Sequence, residues 1–378
     1  MRQKLIVENF RAFEHLEIEL APLTILLGAN SAGKSTVIQA LRLANRVAKL
    51  IEIEKRKRGE FSASGALIDD MDFYRLLNRK AETKEFVLKF PCQKCKDESA
   101  QLEIKFVPDS AIWSFSENFE DFEGQKLLAI LSDTYYLSPV RLPVAYQKVV
   151  DIKTLPSWIG SRGGQLIDFV VMEMLEAVAE ERQDHVLAKF NRFLQRFDIP
   201  MRYKLELKRD KAGGTTQASI LVIENGEAVN LADAGFGLTQ LANVAIGVLG
   251  VSENGDKPSL ILLEEPETHL HPRFIAFLAD LFVHSATLGN FVVVETHSEH
   301  LLIRTRRRVA EGLIKPEDVA VYFFERKGDD FTVRSIKIDE NGQLSDDFPA
   351  DFFAQDYLDI VKISEAVRRR MQNADDDG

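Results

Sequence analysis

Three short stretches of the chain are almost entirely apolar: residues 23–27, 260–263 and 291–294. Strands buried on both faces have this pattern, because helices cover both sides of a parallel sheet. After the first stretch, residues 37–50 carry apolar side chains at helical spacing. Buried strands followed by amphipathic helices predict an α/β fold.

The remaining pattern predicts smaller elements around this core. The expected elements are, in chain order, a β-hairpin over residues 5–20, a loop-rich stretch to about residue 83, strands at 85–90 and 100–106 and recurring to 137, helices within 164–197, strands at 202–208 and 217–224, a turn at Asn225-Gly226 leading into 227–231, an apolar stretch at 241–249, a strand at 319–325 and a hairpin arm at 331–338. These elements are enough to place the motifs on strands, helices or loops.

Residues 28–36 read Gly-Ala-Asn-Ser-Ala-Gly-Lys-Ser-Thr, a complete phosphate-loop pattern. The pattern lies between a predicted strand and a predicted helix, and this context argues against a chance glycine-rich turn. The glycines let backbone N–H groups turn toward phosphate, Lys34 reaches the β and γ oxygens, and Ser35 can bind Mg²⁺. The predicted nucleotide-binding residues of the loop are Asn30, Ser31, Ala32, Gly33, Lys34, Ser35 and Thr36.

Adjacent carboxylates end the second apolar stretch, at Glu264 and Glu265. A carboxylate next to a buried strand needs a partner, and a phosphate-loop enzyme supplies one. We assign Glu264 to the Mg²⁺ ion and Glu265 to the attacking water as its base. The alternative is a solvated acidic end of a strand.

His297 follows the third apolar stretch. Because ligands bind at the carboxyl ends of parallel strands, we expect His297 to face the same phosphates as Glu265. A histidine after a strand is also common as a purely structural residue. The two carboxylates and the phosphate loop favour the catalytic interpretation.

The order of these motifs resembles ABC-type ATPase heads, in the soluble branch of SMC-like repair proteins and the overcoming-lysogenization-defect (OLD) group. The resemblance rests on Asn9-Phe10-Arg11-Ala12-Phe13, the phosphate loop, Leu-Leu-Glu264-Glu265-Pro266-Glu267 and Glu295-Thr296-His297-Ser298. It implies a mixed sheet flanked by helices, with an antiparallel β subdomain and a helical insertion. It also implies that His297 is the switch residue that senses the γ-phosphate, and that Arg11 lies close to the phosphates.

The same resemblance implies a signature segment that caps the nucleotide of a second subunit. The best match is Leu231-Ala-Asp-Ala-Gly235-Phe-Gly237-Leu-Thr239-Gln240, with Gly235, Gly237 and Thr239 as the residues acting in trans. The alternative is an ordinary capped helix with a glycine-rich entry. His271 occupies the position of the usual D-loop aspartate, and its role is left open. A Q-loop glutamine is not evident. Arg141 lies in the segment where that loop is expected, and it either contacts phosphate, signals to a partner or pins a turn.

We expect residues 1–378 to form one ABC-type ATPase domain with four parts. These are a phosphate-loop lobe with a β subdomain (1–150), a helical insertion with strands leading to the signature (151–230), the signature, Walker B and switch-histidine core (231–325) and a C-terminal extension (326–378).

Composition narrows the biology. The 378 residues are 45% hydrophobic and 28% charged, with a net charge of −11. No apolar run reaches membrane-spanning length and no cleavable signal is evident, so we expect a cytoplasmic protein without a membrane partner. The negative net charge argues against a surface that is basic throughout and binds DNA, but a local nucleic-acid groove remains compatible with it. Basic clusters at residues 49–58, 304–308 and 368–370 are either solvated faces or sites for a phosphate backbone.

The two cysteines, Cys92 and Cys95, form a Cys-x-x-Cys pair in a predicted hairpin turn. Two cysteines cannot build a disulfide framework, which suits a reducing compartment. The pair is either part of an ordinary turn or half of a zinc site shared between two chains.

Three classes of function follow. The leading hypothesis is an ATPase, with ATP and Mg²⁺ as ligands, that forms a homodimer or higher oligomer on ATP. It would control a separately encoded effector, a nuclease or toxin, or engage DNA, in anti-phage defence or, alternatively, in repair and genome maintenance. A transporter subunit is disfavoured by the opening motif and the Glu264-Glu265 pair, and phosphoryl transfer to a small acceptor is the third class. Nuclease-bearing relatives continue into a Toprim domain, so we expect no nuclease activity from these 378 residues.

Overall fold

A computed structural model of the chain describes residues 2–56, 58–62, 72–92, 100–108, 110–115, 122–209, 216–252 and 257–345. Within them the strands are β1 (Gln3–Phe10), β2 (Phe13–Leu20), β3 (Leu23–Gly28), β4 (Arg58–Ser62), β5 (Phe86–Pro91), β6 (Gln101–Val107), β7 (Ser110–Phe115), β8 (Thr134–Leu137), β9 (Lys148–Val150), β10 (Met201–Arg209), β11 (Thr216–Glu224), β12 (Glu227–Asn230), β13 (Leu260–Glu264), β14 (Phe291–Glu295), β15 (Val319–Lys327) and β16 (Asp330–Ile336). The helices are α1 (Lys34–Glu54), α2 (Phe73–Leu76), α3 (Phe122–Ser132), α4 (Leu166–Ala179), α5 (Val186–Arg196), α6 (Phe236–Ser252), α7 (Pro272–Thr287) and α8 (Glu299–Ala310).

The central sheet has six strands in the order β16-β15-β3-β14-β13-β8. All neighbours are parallel except β16, which pairs antiparallel with β15. The register sets Leu26 beside Glu295 and Glu295 beside Glu264. The phosphate-loop strand β3 is therefore separated from the Walker B strand β13 by the strand that ends before His297.

Alternating side chains of the central sheet enter two separate hydrophobic cores. Leu23, Ile25 and Leu27 belong to one core, which contains α4–α8 and the strands β10 and β11. Leu26 belongs to the other, which contains α1, α3 and the hairpin β1-β2. Both faces of β3 are thus covered, as its purely apolar sequence requires.

The two other sheets are antiparallel. One has the order β2-β1-β5-β6-β7-β4, and the other has the order β10-β11-β12 with β9 on β11. The arrangement agrees with the predicted α/β class with an antiparallel β subdomain and a helical insertion, here the helices α4 and α5.

The local predictions failed in the stretch before β8. Strands were expected to recur there, but residues 122–132 form α3, and β4 lies in the stretch expected to be loop-rich. Residues 127–131 are an unbroken apolar run, and such a run does not distinguish a short strand from a buried helix. Among the described residues, no helix is both long and apolar enough to cross a membrane.

Candidate functional site

The phosphate loop leaves β3 at Gly28 and enters α1 after Gly33, and both glycines have positive φ, 141° and 98°. A Cβ atom at Gly28 would lie 2.1 Å from the carbonyl oxygen of Phe324, and one at Gly33 would lie 2.9 Å from Cε2 of Phe13. The loop is therefore held between β15 and the opening hairpin, and the glycine spacing is dictated by packing as well as by backbone conformation.

Lys34 is almost fully buried at the start of α1. Its ammonium donates to the carbonyl oxygens of Gly28 at 3.0 Å and Ala29 at 2.9 Å, and it lies 3.1 Å from Nε2 of His297. Burial lowers the pKa of Lys34, whereas the nearby carboxylates of Glu295, Glu265 and Glu267 oppose that shift. The loop lysine and the predicted switch histidine are thus direct neighbours.

Glu265 directly follows β13 and has a φ of 44°, which is uncommon for a residue with a side chain. Its backbone N–H donates to the carbonyl oxygen of Glu295 at 2.8 Å. Its Oε1 lies 3.7 Å from Nε2 of His297, and its Oε2 accepts from the Thr268 hydroxyl at 3.4 Å. Its carboxylate is therefore held beside His297, where a water-activating base is expected.

Glu264 is the last residue of β13, and its side chain is buried. Its carboxylate is close enough to Arg11 to counteract the lowering of the Arg11 pKa by burial. Arg11 itself lies in the turn of the β1-β2 hairpin, at a φ of 51°. The predicted metal carboxylate and the predicted phosphate-side arginine thus belong to one cluster.

Glu267 holds the segment that carries His297. One carboxylate oxygen accepts from the Thr296 hydroxyl at 2.6 Å and from the backbone N–H of His297 at 2.8 Å. Burial raises the pKa of Glu267. Burial and the Lys34 charge lower the pKa of His297, with Glu265 opposing, so the imidazole is neutral near pH 7 and can accept a hydrogen bond.

Glu295 is a site residue that sequence reasoning missed. Its Oε1 accepts from the Ser35 hydroxyl at 3.0 Å and lies 3.8 Å from Nζ of Lys34. The available signal was its position at the end of a buried strand, two residues before His297. Hydroxyl and carboxylate oxygens suit Mg²⁺, and Oε2 of Glu295 is buried without a hydrogen-bond partner in the structure, so the residues around Ser35 fit this ion.

Arg141 lies in the loop after β8 and is buried. Its guanidinium donates to the backbone carbonyls of Glu265 at 2.8 Å, Glu264 at 3.3 Å and Ser138 at 3.2 Å, and to Oε1 of Gln240. Of the three roles considered for Arg141, this geometry supports the structural one, in which the arginine pins the turn. Gln240 lies on α6, so Arg141 joins the end of the Walker B strand to the signature helix.

The signature segment leads directly into α6. Gly235 has a φ of 89° with open space around its Cβ position, and a Cβ at Gly237 would lie 3.0 Å from the carbonyl oxygen of His269. The buried Thr239 hydroxyl donates to the carbonyl oxygen of Leu231 at 3.2 Å. Within one chain Thr239 therefore fastens the helix entry, and the roles of Gly235, Gly237 and Thr239 in trans stay predictions.

His271 caps α7. Its Nδ1 accepts from the backbone N–H of Arg273 at 3.2 Å, and the backbone of His271 has the extended conformation of an ordinary N-cap. The D-loop position is thus occupied by a helix-capping histidine.

Residues 1–140 match the family described as AAA ATPase domain. Residues 160–304 match an AAA domain family whose description also names the AbiEii toxin and a Type IV TA system. Residues 314–362 match a family of proteins of unknown function, DUF3696.

A curated relative is the OLD nuclease of Thermus scotoductus, which is 44% identical over 43 residues. That match covers 11% of this chain and 8% of the nuclease. Among solved structures, an Smc head bound to the C-winged helix domain of ScpA superposes with a TM-score of 0.56 at 12% identity, covering 89% of this chain and 98% of that one. The chain is thus similar to AAA ATPase domains over residues 1–140 and 160–304, and it has the fold of an SMC head.

A second solved structure has a similar fold. The Smc head with an extended coiled coil, bound to the C-terminal domain of ScpA derived from Pyrococcus furiosus, gives a TM-score of 0.51 at 13% identity over 97% of this chain and 100% of that one. At such low identity these structures show the fold alone. The predicted ABC-type fold class is confirmed.

The arginine cluster on α8 has partners within the chain. Arg304 and Arg308 donate to the buried Asp280 of α7, with Nε and Nη2 of Arg304 at 2.7–3.0 Å. Arg306 donates to the carbonyl oxygen of Gly342, and Arg307 donates to Glu311, which caps the end of the helix. These contacts support the structural alternative for residues 304–308. Cys95, Lys57 and residues 368–370 lie outside the described residues.

Proposed function

We propose that the chain binds ATP with Mg²⁺ at the phosphate loop and hydrolyses the ATP, with Glu265 as the base and His297 as the γ-phosphate sensor. The convergence of three groups supports this most. Lys34 lies 3.1 Å from His297, and His297 lies 3.7 Å from Glu265, although α1 and His297 are 263 residues apart in sequence. A structural histidine would not need both a loop lysine and a carboxylate as neighbours.

Each group would have a separate task. The Glu265 carboxylate would accept a proton from the attacking water, while the Thr268 hydroxyl and the backbone contact with Glu295 keep it in place. Neutral His297 would accept a hydrogen bond from that water or donate its ring N–H to an oxygen of the γ-phosphate. Lys34 would neutralise phosphate charge, and Arg11 would add charge from the hairpin. Bound Mg²⁺, held by Ser35 and Glu264, would supply charge neutralisation at the β and γ oxygens.

We further propose that two copies assemble on ATP, with Gly235, Gly237 and Thr239 of each copy completing the site of the other. The resulting change would control a separately encoded effector, a nuclease or toxin, in anti-phage defence within the cytoplasm. The toxin-system family description and the similarity to an OLD nuclease support this setting. A genome-maintenance role, with DNA or RNA as partner, is the second candidate and is supported by the likeness to Smc heads.

The carboxylate Glu265 provides the direct test. Glu265→Gln should bind ATP normally, lower kcat by roughly 10²-fold or more and accumulate an ATP-bound dimer. Lys34→Ala should lose tight ATP binding. The measurements are steady-state phosphate release, ATP titration and size-exclusion chromatography with light scattering. A Glu265→Gln chain that hydrolyses ATP like the parent would eliminate Glu265 as the base.

Assembly has a complementary test. Mixed dimers of a Lys34→Ala chain with a Gly237→Asp chain should keep one intact composite site, whereas each variant alone keeps none. Turnover per chain that is independent of protein concentration in a monomeric enzyme would contradict the shared site.

A further inference from the structure

Glu295 ends β14, between the phosphate-loop strand β3 and the Walker B strand β13. It is paired in register with Glu264 on one side and with Leu26 on the other. In-register residues of parallel neighbours lie about 4.8 Å apart and point to the same face of the sheet. The two carboxylates therefore stand side by side on the face that α1 covers.

The side chain of Glu295 contacts residues at the end of the phosphate loop. Oε1 accepts from the hydroxyl of Ser35 at 3.0 Å and lies 3.8 Å from Nζ of Lys34. The residue is only 6% exposed, and Oε2 is buried with no hydrogen-bond partner in the structure. A buried carboxylate oxygen without a partner is costly, so a cation beside this carboxylate would remove a penalty.

We propose that Glu295 is a second carboxylate of the Mg²⁺ site, which it shares with Ser35 and Glu264. This inference rests on the proposed ATP-binding function and deepens it. It differs from the sequence assignment, in which Glu264 was the only carboxylate at the metal.

The spacing of the oxygens fits an octahedral ion. Adjacent ligands at about 2.1 Å from Mg²⁺ are roughly 3.0 Å apart when the angle between them is close to a right angle. The measured separation of the Ser35 hydroxyl and Oε1 of Glu295 is 3.0 Å. The pair can thus coordinate one ion as adjacent ligands, with little movement beyond the loss of the hydrogen bond between them.

The charged groups around Glu295 also support a cation at this position. The carboxylates of Glu265 and Glu267 and the ammonium of Lys34 are all close enough to act electrostatically on the Glu295 carboxylate. Four carboxylates, with Glu264 included, therefore face the cations Lys34, Arg11 and Arg141. A divalent cation at Ser35 would relieve this excess of negative charge, which a water molecule could not do.

The alternative role for Glu295 is to hold the Ser35 hydroxyl and nothing more. Glu295→Gln separates the two roles, because the amide oxygen can still accept from Ser35 whereas the charge and one metal-binding oxygen are lost. Binding of a fluorescent ATP analogue in EDTA, and of Mn²⁺ in the presence of ATP by electron paramagnetic resonance, should be measured for the parent, Glu295→Gln, Glu264→Gln and Ser35→Ala. The matched control is Glu325→Gln on β15, whose carboxylate pairs with Lys327 and Arg334.

We expect Glu295→Gln to keep the parent's affinity for the analogue in EDTA, which also shows that it folds, and to weaken Mn²⁺ binding by about tenfold or more. Glu264→Gln should do the same, and Glu325→Gln should match the parent. Unchanged Mn²⁺ binding in Glu295→Gln would overturn this inference alone. A parent chain that does not bind the analogue in EDTA or with Mn²⁺ would overturn the proposed function and the inference with it.

Discussion

Replacing Arg141 with lysine tests how the end of the Walker B strand is held. Arg141 is 5% exposed, and its guanidinium donates to four oxygens, those of Gln240, Ser138, Glu264 and Glu265. A lysine keeps the charge but concentrates its donors on one atom, so it cannot span four acceptors. Arg141→Lys therefore removes the fixed arrangement of hydrogen-bond donors and keeps the positive charge.

The expected magnitude follows from these contacts. A hydrogen bond to a charged group contributes about 1.5–3 kcal/mol, so losing two of the four contacts should lower the free energy of unfolding by about 3 kcal/mol or more. The φ of Glu265 is 44°, a conformation that persists only when its surroundings hold it. If Glu265 moves by about 1 Å, kcat should fall by roughly 10²-fold. ATP affinity should change little, since Lys34 does not contact Arg141.

Urea unfolding, ATP titration and steady-state hydrolysis would separate these effects. The control is Arg182→Lys, an exposed arginine whose partner is Glu180. Gln240→Leu and the double variant complete a cycle, and we expect a coupling of about 1 kcal/mol or more between Arg141 and Gln240. An Arg141→Lys chain with the stability and kcat of the parent would refute the idea that this arginine positions Glu265.

Three further predictions rest on single contacts. Burial raises the pKa of Glu267 above its ordinary value of 4.5. The stability linked to this group is therefore present in full below that value and is lost as pH rises through the raised folded-state pKa. In urea unfolding, the free energy of unfolding of Glu267→Gln relative to that of the parent should thus be higher at about pH 8 than at about pH 4. Asp280→Ala leaves two arginines of α8 without their shared carboxylate and should lower the unfolding free energy by about 3–5 kcal/mol, measured the same way, without changing kcat. Gly33→Ala, with a φ of 98° and a Cβ against Phe13, should weaken ATP binding by roughly tenfold or more in the analogue titration.

The buried strands and the phosphate loop could be predicted because their signals are local. A run such as residues 291–294 has no polar position to expose, and the loop pattern fixes its own context. Likewise the Asn225-Gly226 turn is present with φ values of 51° and 86°, the left-handed conformations that this pair favours.

The side-chain contacts between distant residues of the site could not be predicted in the same way. Arg141 is pinned to Glu265 because β8 pairs with β13 across more than a hundred residues, and nothing near Arg141 in sequence specifies that pairing. Glu295 was missed for a related reason. Its partner Ser35 is 260 residues away, and only the strand order brings β14 beside β3. Both are consequences of tertiary topology, which single-sequence patterns constrain weakly.

The division of the molecule into two cores has a consequence for its fluctuations. The helix α1 shares its core with the opening hairpin and the strands β5 and β6, whereas α6 and α7 lie in the core on the other face of the central sheet. Partial opening of the antiparallel sheet would therefore release α1 as part of one cooperative unit, while amide protons of α6 and α7 stay protected from hydrogen exchange. Nucleotide held at the start of α1 would slow exchange in β5 and β6, so these strands would report occupancy of a site that is formed elsewhere in the fold.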